Sequence, residues 1–184
     1  AKAALSEVAE PEPEAVPLAK EEDKEKQEVK KDPQEVWRDG LKKAGITEAQ
    51  ANEILDEVLA KGYWEHGYRL YGGKVYVKFR TRDAHHVSRI TNTIDSMRAP
   101  NDTTVNEVIM TANLTASLVQ YRTTALPHPD PLEAKPEAIE DAYRVRADFI
   151  SRLPAPVLMV VRKALAKFDT VVAAALAGEA PEGF

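Results

Sequence analysis

The four histidines are the first candidates for a chemical site, because an imidazole can bind a metal ion or transfer a proton. Asp83 lies beside the adjacent pair His85 and His86, and His66 precedes them in the chain. His66, Asp83 and His86 are therefore candidate metal ligands. However, neighbouring helical residues point about 100° apart, and the chain has no HExxH or comparable ligand spacing. With His128 placed among prolines, we expect solvent-facing histidines and no metal site.

Residues for covalent catalysis are also lacking in a recognisable arrangement. The serines lie outside Gly-x-Ser-x-Gly and Ser-x-x-Lys patterns. The chain contains no cysteine, which excludes thiolate nucleophiles, disulfides and cysteine zinc sites. Its eight glycines are expected at turn or cap positions, and they form no glycine-rich phosphate-binding motif. The sequence therefore predicts that the protein is not an enzyme and that it uses no cofactor.

A basic and aromatic segment is the remaining candidate for a binding surface. Residues 74–98 contain six basic and two acidic residues. In the strand predicted there, Tyr76, Lys78 and Arg80 share one face, and Arg82 follows directly. Aromatic and basic residues in alternation are typical of surfaces that bind single-stranded nucleic acid. The same pattern fits a plain solvated face or an acidic protein partner, and we place a protein partner before nucleic acid.

Two helices are predicted ahead of this segment. Asp32-Pro33 has an acid at the cap and proline at the first helical position, and Gly45 ends that helix. The capping box Thr47–Gln50 begins a second helix, which ends at Gly62. The two helices form a short helical hairpin.

A β-hairpin follows between Tyr63 and Arg82. The pair Gly72-Gly73 separates two extended runs, which predicts a turn that needs positive φ angles. In the second run Val75, Val77 and Phe79 alternate with polar residues, so they should face the core. An isolated two-stranded hairpin is only marginally stable. The hairpin must therefore pack on the helices or pair its free edge with another chain.

Four more helices are predicted after the hairpin, and their start signals are Asp83, Thr104, Pro136 and Pro156. The first should bury a stripe that begins at Val87, and the second should continue inward through Leu118 and Val119. Residues 124–135 are rich in proline and should form a surface loop. The fold class predicted for residues 33–184 is one mainly α domain with one β-hairpin, an α+β arrangement. Charged residues interrupt its longest apolar stretch, so we expect no membrane span.

Residues 1–32 have a different composition. They contain six lysines and ten acidic residues, which contribute −4 of the total charge of −5, and no aromatic residue. Such a segment cannot bury enough apolar surface to order itself. It is either a solubilising linker or an extended arm that becomes ordered on a neighbouring subunit. In the second case Leu5, Val8, Val16 and Leu18 are the candidate contacts.

The order of elements carries a family resemblance. A charged arm and a helical hairpin precede the strand Gly73–Arg82, which contains Phe79-Arg80-Thr81, and a long apolar helix ends near Gly178 and Phe184. Over residues 35–184 this layout resembles small virion and tail-assembly proteins of tailed bacteriophages. The resemblance implies a structural subunit of a tail, baseplate or neck, or an assembly chaperone. It also implies location in the virion, or in the host cytoplasm during assembly.

These observations predict a noncatalytic subunit of a large complex that acts by protein–protein contact. Its partners would be other subunits, including copies of itself. The arm would hold a neighbour, and the hairpin would extend a partner's sheet through its free edge. The alternative is a nucleic-acid-binding accessory protein that uses Tyr76, Lys78, Arg80, Arg82 and Arg89.

Overall fold

Helices and a small antiparallel sheet make up the chain. A computed structural model describes residues 32–83, 85–97, 101–130 and 133–179. The elements within those residues are α1 (Pro33–Ala44), α2 (Glu48–Lys61), β1 (Glu65–Leu70), β2 (Val75–Arg80), α3 (His86–Asp95), α4 (Asp102–Ser117), β3 (Leu118–Tyr121), β4 (Thr124–Ala125), α5 (Pro136–Ser151), α6 (Ala155–Leu176) and a 3₁₀ turn (Ala177–Glu179). The predicted α+β fold class is confirmed, and the sheet gains a second hairpin that we did not predict.

The ends of α1 and α2 follow the predicted signals. The Asp32 carboxylate accepts a hydrogen bond from the Gln34 backbone N–H at 3.0 Å, and Gly45 ends α1 in the left-handed region. The Thr47–Gln50 capping box forms in both directions, and Gly62 ends α2 with a φ of 77°. Local backbone hydrogen bonding therefore determines where both helices stop.

The predicted β-hairpin is also present. β1 and β2 pair antiparallel from Glu65↔Arg80 to Leu70↔Val75. The loop between them has positive φ at Tyr71, Gly72 and Gly73. Val75, Val77 and Phe79 are buried and the alternate residues of β2 are half-buried, as the period of two predicts.

The structure corrects the predicted limits of α4. The helix begins at Asp102, because the Asn101 side chain accepts the Thr104 backbone N–H at 2.8 Å. The capping box predicted at Thr104 is therefore wrong. The helix ends at Ser117, and Leu118 and Val119 lie in β3 instead of continuing the helix. Both residues are buried in either conformation, so hydrophobic spacing could not separate helix from strand.

The predicted stripe of α3 is wrong at its first residue. Val87 is 69% exposed, whereas the preceding His86 is only 4% exposed. The His86 ring lies toward α4, where its Nε2 is 2.6 Å from the Asn113 side-chain oxygen. A polar contact between two helices has therefore replaced the apolar contact that the spacing predicted.

The sheet joins two local hairpins in the order β1-β2-β3-β4. β2 pairs antiparallel with β3 through Val77↔Tyr121 and Phe79↔Leu118, with a register shift at Lys78/Phe79. β3 and β4 form the second hairpin, and β4 lies at the start of the segment 124–135 that we predicted to be a loop. β2 is therefore a central strand, and β1 is an edge strand.

Helix α6 organises the core. It contacts α1, α2, α4, β1 and β2. Phe168, 1% exposed, stacks on Trp64 at a centroid distance of 5.1 Å and lies 5.8 Å from the Phe79 ring. The helix and the first hairpin are thus joined by one aromatic cluster.

Replacing Phe168 by alanine should destabilise the protein by about 3–5 kcal/mol, because the change leaves a cavity between α6 and the sheet. The free energy of unfolding in urea measures the effect. Val87→Ala is the control and should change that free energy by less than about 0.5 kcal/mol, since the Val87 side chain is exposed. Equal stabilities for the two variants would contradict the central position of Phe168.

Candidate partner-binding site

The outer edge of β1 presents unpaired backbone groups. On its inner side, Thr81 N–H donates to the Trp64 carbonyl at 3.0 Å, and Trp64 N–H donates to the Thr81 hydroxyl at 3.0 Å. Because antiparallel strands alternate, the N–H and C=O groups of Glu65, Gly67 and Arg69 face away from β2. Within the part of the chain that the structure describes, no strand pairs with this edge.

A groove of about 450 Å³ runs beside β1. Residues of β1, α2, α6 and the turn between α1 and α2 line it, together with Trp64. Most of its lining is apolar or aromatic, and the polar members are Gln50, Glu53, His66 and Lys167. Cavities of this size and composition are typical of binding sites.

Two rings on β1 and the Trp64 ring directly before the strand form an aromatic row along this groove. The His66 ring stacks on Trp64 at 5.3 Å and meets the Tyr68 ring edge-on at 5.0 Å. Burial and the nearby Lys167 charge lower the pKa of His66, so the ring is neutral near pH 7. The row therefore offers flat, uncharged surface to an apolar side chain.

The predicted site residues Tyr76, Lys78 and Arg80 lie together on the half-buried face of β2, opposite its buried face. The two cations among them already form salt bridges. The Glu65 carboxylate forms salt bridges with both Lys78 and Arg80. The Arg80 guanidinium also lies over the Tyr63 ring, 3.8 Å from its centroid. Burial would raise the pKa of Glu65, but its hydrogen bonds to Lys78 and Arg80 and their charges outweigh burial and lower it. Tyr76 crosses over Gly67, where a Cβ atom would overlap the tyrosine ring and its hydroxyl oxygen.

Two further basic residues of the segment, Arg82 and Arg89, are paired as well. Arg82 binds Asp169 of α6 at 2.8 Å and the Ser117 hydroxyl at 3.3 Å. Arg89 of α3 binds Glu140 of α5 at 2.9 Å and also Asp83. Lys78, Arg80, Arg82 and Arg89 therefore each have an acidic partner, and Glu65, Glu140 and Asp169 come from outside the segment.

Two side chains that we did not predict cap the carboxyl end of α4. Arg146 of α5 is 3% exposed, and its Nε donates to the Thr115 carbonyl at 2.7 Å. His128 Nε2 lies 2.9 Å from the Ala116 carbonyl and must donate to it, so its Nδ1 accepts from Arg80 Nη1 at 3.4 Å. Burial and the charge of Arg146 lower the pKa of His128 to about 4.

The described residues include the predicted histidine site but not the predicted contacts of the arm. His86 and His128 are not solvent-facing, and that prediction is wrong because each has a hydrogen-bond partner inside the fold. His66 packs against Trp64 and Tyr68, whereas His86 contacts Asn113, so the two candidate ligands have no neighbour in common among these contacts. No group of three or more His, Asp or Glu residues in the described ranges could hold a metal ion. The candidate arm residues Leu5, Val8, Val16 and Leu18 lie outside the described residues.

The fold defines the class of this protein as α+β, with six helices and a four-stranded antiparallel sheet in the described residues. No family model, curated protein or solved structure matches the chain. Among the described residues, the helices contain no apolar stretch that could span a lipid bilayer.

Protonation of His128 should make stability depend on pH. Its pKa is about 4 in the folded protein and about 6.5 when unfolded. The unfolded chain therefore binds more protons between these values, and stability falls as the pH falls through that range. The loss between pH 7 and pH 5 should be about 2 kcal/mol from His128, and His66 and His86 act in the same direction.

The variant His128→Gln should show a smaller loss of unfolding free energy between pH 7 and pH 5 in urea titrations. An NMR titration of the wild-type imidazole reports the pKa of His128 directly. Equal pH dependence in the two proteins, together with a His128 pKa near 6.5, would contradict the buried neutral cap.

Proposed function

We propose that this protein is a noncatalytic structural or assembly subunit that acts by protein–protein contact. The supporting observation is the free edge of β1, which lies beside an apolar and aromatic groove of about 450 Å³. An open strand edge next to such a groove is the geometry with which proteins take up a strand from a partner. The resemblance to tailed-phage proteins favours a virion tail, baseplate or neck as the assembly. The subunit would then be incorporated into the virion in the host cytoplasm.

The proposed occupant is an extended segment of another subunit with apolar side chains at alternate positions. Its backbone would exchange hydrogen bonds with Glu65, Gly67 and Arg69, the three residues whose polar groups face outward. Every second side chain would then point toward the groove, where the Trp64, His66 and Tyr68 rings provide contact area. Backbone bonds supply affinity in this mode, and the groove supplies selectivity.

Charge pairing supports a protein partner over nucleic acid. A nucleic-acid surface needs cations that are free to neutralise phosphates. Lys78 and Arg80 share Glu65, and Arg82 binds Asp169. The alternative function requires salt-sensitive binding of single-stranded DNA by the free protein, and that measurement decides between the two.

Proline at position 69 tests the strand-addition surface. Arg69→Pro removes an outward N–H and leaves the β1–β2 hydrogen bonds intact, since proline is tolerated on a strand edge. We expect at least about tenfold weaker incorporation into the native complex, because a backbone hydrogen bond is lost and the ring blocks the edge. Size-exclusion chromatography and native mass spectrometry of complexes from the native source measure the incorporated fraction.

The matched control is Arg69→Ala, which removes the same side chain and retains the N–H. It should assemble within about threefold of the wild type, a difference below 1 kcal/mol. Backbone amide exchange adds a second readout, since the amides of residues 65, 67 and 69 should gain protection in the complex. Normal incorporation of Arg69→Pro with no such protection would refute the edge as the contact.

The arm, residues 1–32, is the second proposed contact with a neighbouring subunit. Deleting residues 1–31 keeps the Asp32 cap of α1, so the body should unfold at an unchanged urea concentration. Assembly should be impaired, because Leu5, Val8, Val16 and Leu18 are lost as contacts with a neighbouring subunit. If the truncated chain assembles with full yield and stability, the arm is only a linker.

A further inference from the structure

The spacing of the prolines in residues 11–20 identifies a strand that fits the outer edge of β1. The three prolines of this segment are Pro11, Pro13 and Pro17, all at odd-numbered positions. In an extended chain the backbone N–H and C=O groups of successive residues point to opposite edges. The even-numbered residues therefore share an edge on which every residue has an N–H, and the prolines share the other edge.

This arrangement is what an added edge strand requires. Proline cannot donate a hydrogen bond to a ladder, and within sheets it is confined to positions whose N–H would face outward. The even-numbered edge of residues 11–20 can therefore bond to β1 along its whole length. The prolines on the other edge would prevent a further strand from pairing outside it.

The rest of residues 1–31 lacks this combination of features. Val16 and Leu18 are two residues apart, so they share one face of a strand, whereas Leu5 and Val8 would lie on opposite faces. Residues 21–31 contain nine charged residues and only one apolar residue. The segment 11–20 is thus the part of the arm that matches an edge beside an apolar groove.

The apolar side chains select the direction in which this segment would lie. Glu65, Gly67 and Arg69 have outward backbone groups, and their side chains lie on the face of β1 that is opposite the groove-lining residues. Bonded residues have side chains on the same face in an antiparallel pair and on opposite faces in a parallel pair. Parallel addition therefore directs Val16 and Leu18 into the groove, where antiparallel addition would place proline and alanine.

Charge agrees with the parallel direction. Lys167 lines the groove, and its charge acts on the His66 ring near the start of β1. In a parallel strand Glu14 precedes the apolar pair and lies toward this end, whereas an antiparallel strand would bring Lys20 there. The lining also contains the acid Glu53 and is neutral in sum, so charge favours a direction and adds little affinity.

The length of the intervening chain favours an arm from a second copy. Tyr71, directly after β1, donates to the Pro156 carbonyl near the start of α6. Trp37 of α1 donates to the Ala174 carbonyl, about 27 Å farther along α6 at 1.5 Å per residue. The end of α1 lines the groove, so its start lies farther from β1 still. Residues 21–31 reach at most about 36 Å, so a parallel strand from the same chain would require them to be almost fully extended.

We infer that residues 11–20 of a second copy of this chain form the strand that β1 receives, in the parallel direction. The inference rests on the proposed function, because it names the occupant of the same edge and groove. Each copy then donates one arm and receives one. Two copies that exchange arms form a dimer, and arms that pass from each copy to the next form a ring or a filament.

The position of an added proline tests the inference in the purified full chain. Leu18→Pro places a proline on the edge that bonds to β1, and it should weaken self-association at least about tenfold, because an N–H is lost and the ring blocks the edge. The matched control Ala19→Pro adds the same ring on the outer edge and should stay within about threefold of the wild type. Leu18→Ala retains the N–H, so it should weaken self-association less than Leu18→Pro does. Sedimentation equilibrium measures the dissociation constants.

Amide exchange of the same samples identifies the edge that is used. The amides of residues 65, 67 and 69 should gain protection as the protein concentration rises, together with those of residues 14, 16 and 18. Equal self-association of Leu18→Pro and Ala19→Pro would overturn the inference. Protection that is independent of concentration in a monomer would also overturn it, because the strand would then come from the same chain.

The outcomes separate this inference from the proposed function. A purified chain that stays monomeric without protection of β1, while Arg69→Pro is still poorly incorporated into the native complex, would overturn the second copy as the occupant and leave strand addition by another subunit supported. Normal incorporation of Arg69→Pro, without protection of β1 in that complex, would overturn both.

Discussion

The carboxyl end of α4 is the constraint on which much of the structure depends. The helix passes into β3 without a loop, so the carbonyls of Thr115 and Ala116 have no backbone donors of their own. A buried arginine from α5 and a neutral histidine from the loop after β4 supply them. Cationic and N–H donors at this position also oppose the negative end of the helix dipole. These two hydrogen bonds connect α5, the second hairpin and α4 at one point.

This cap also explains why the basic residues of the first hairpin are arranged as they are. His128 donates through Nε2, so its other nitrogen is an acceptor for Arg80. Arg80 in turn binds Glu65 on β1, and Lys78 shares that carboxylate. The charges on this side of the hairpin thus form part of the framework. The outer edge of β1, beside the groove, keeps backbone hydrogen-bonding groups that no described strand pairs with.

Local signals predicted much of the fold, because caps and turns depend on adjacent residues. Asp32, Gly45, the Thr47 capping box and Gly72-Gly73 each determine a boundary through short-range hydrogen bonds or positive φ angles. The second hairpin was missed because Leu118 and Val119 are apolar in a helix or a strand, and only pairing with β2 decides between them. Arg146 was missed in the same way: its spacing with Ala142 and Ile150 placed it on the buried face, but its acceptors come from distant segments. The basic residues were located correctly along the strand, whereas their acidic partners on β1, α5 and α6 could not be read from spacing.

The topology of the sheet has a consequence for how the chain folds. Each hairpin is local, but the pairing of β2 with β3 joins residues separated by α3 and α4. Closing that long loop costs entropy before its contacts are gained, so β2–β3 pairing should be a late event. Until then the first hairpin has two open edges, and β2 as well as β1 can pair with a wrong strand. During synthesis, the interval between completion of Arg80 and arrival of Tyr121 is therefore when the chain is most exposed to misassembly.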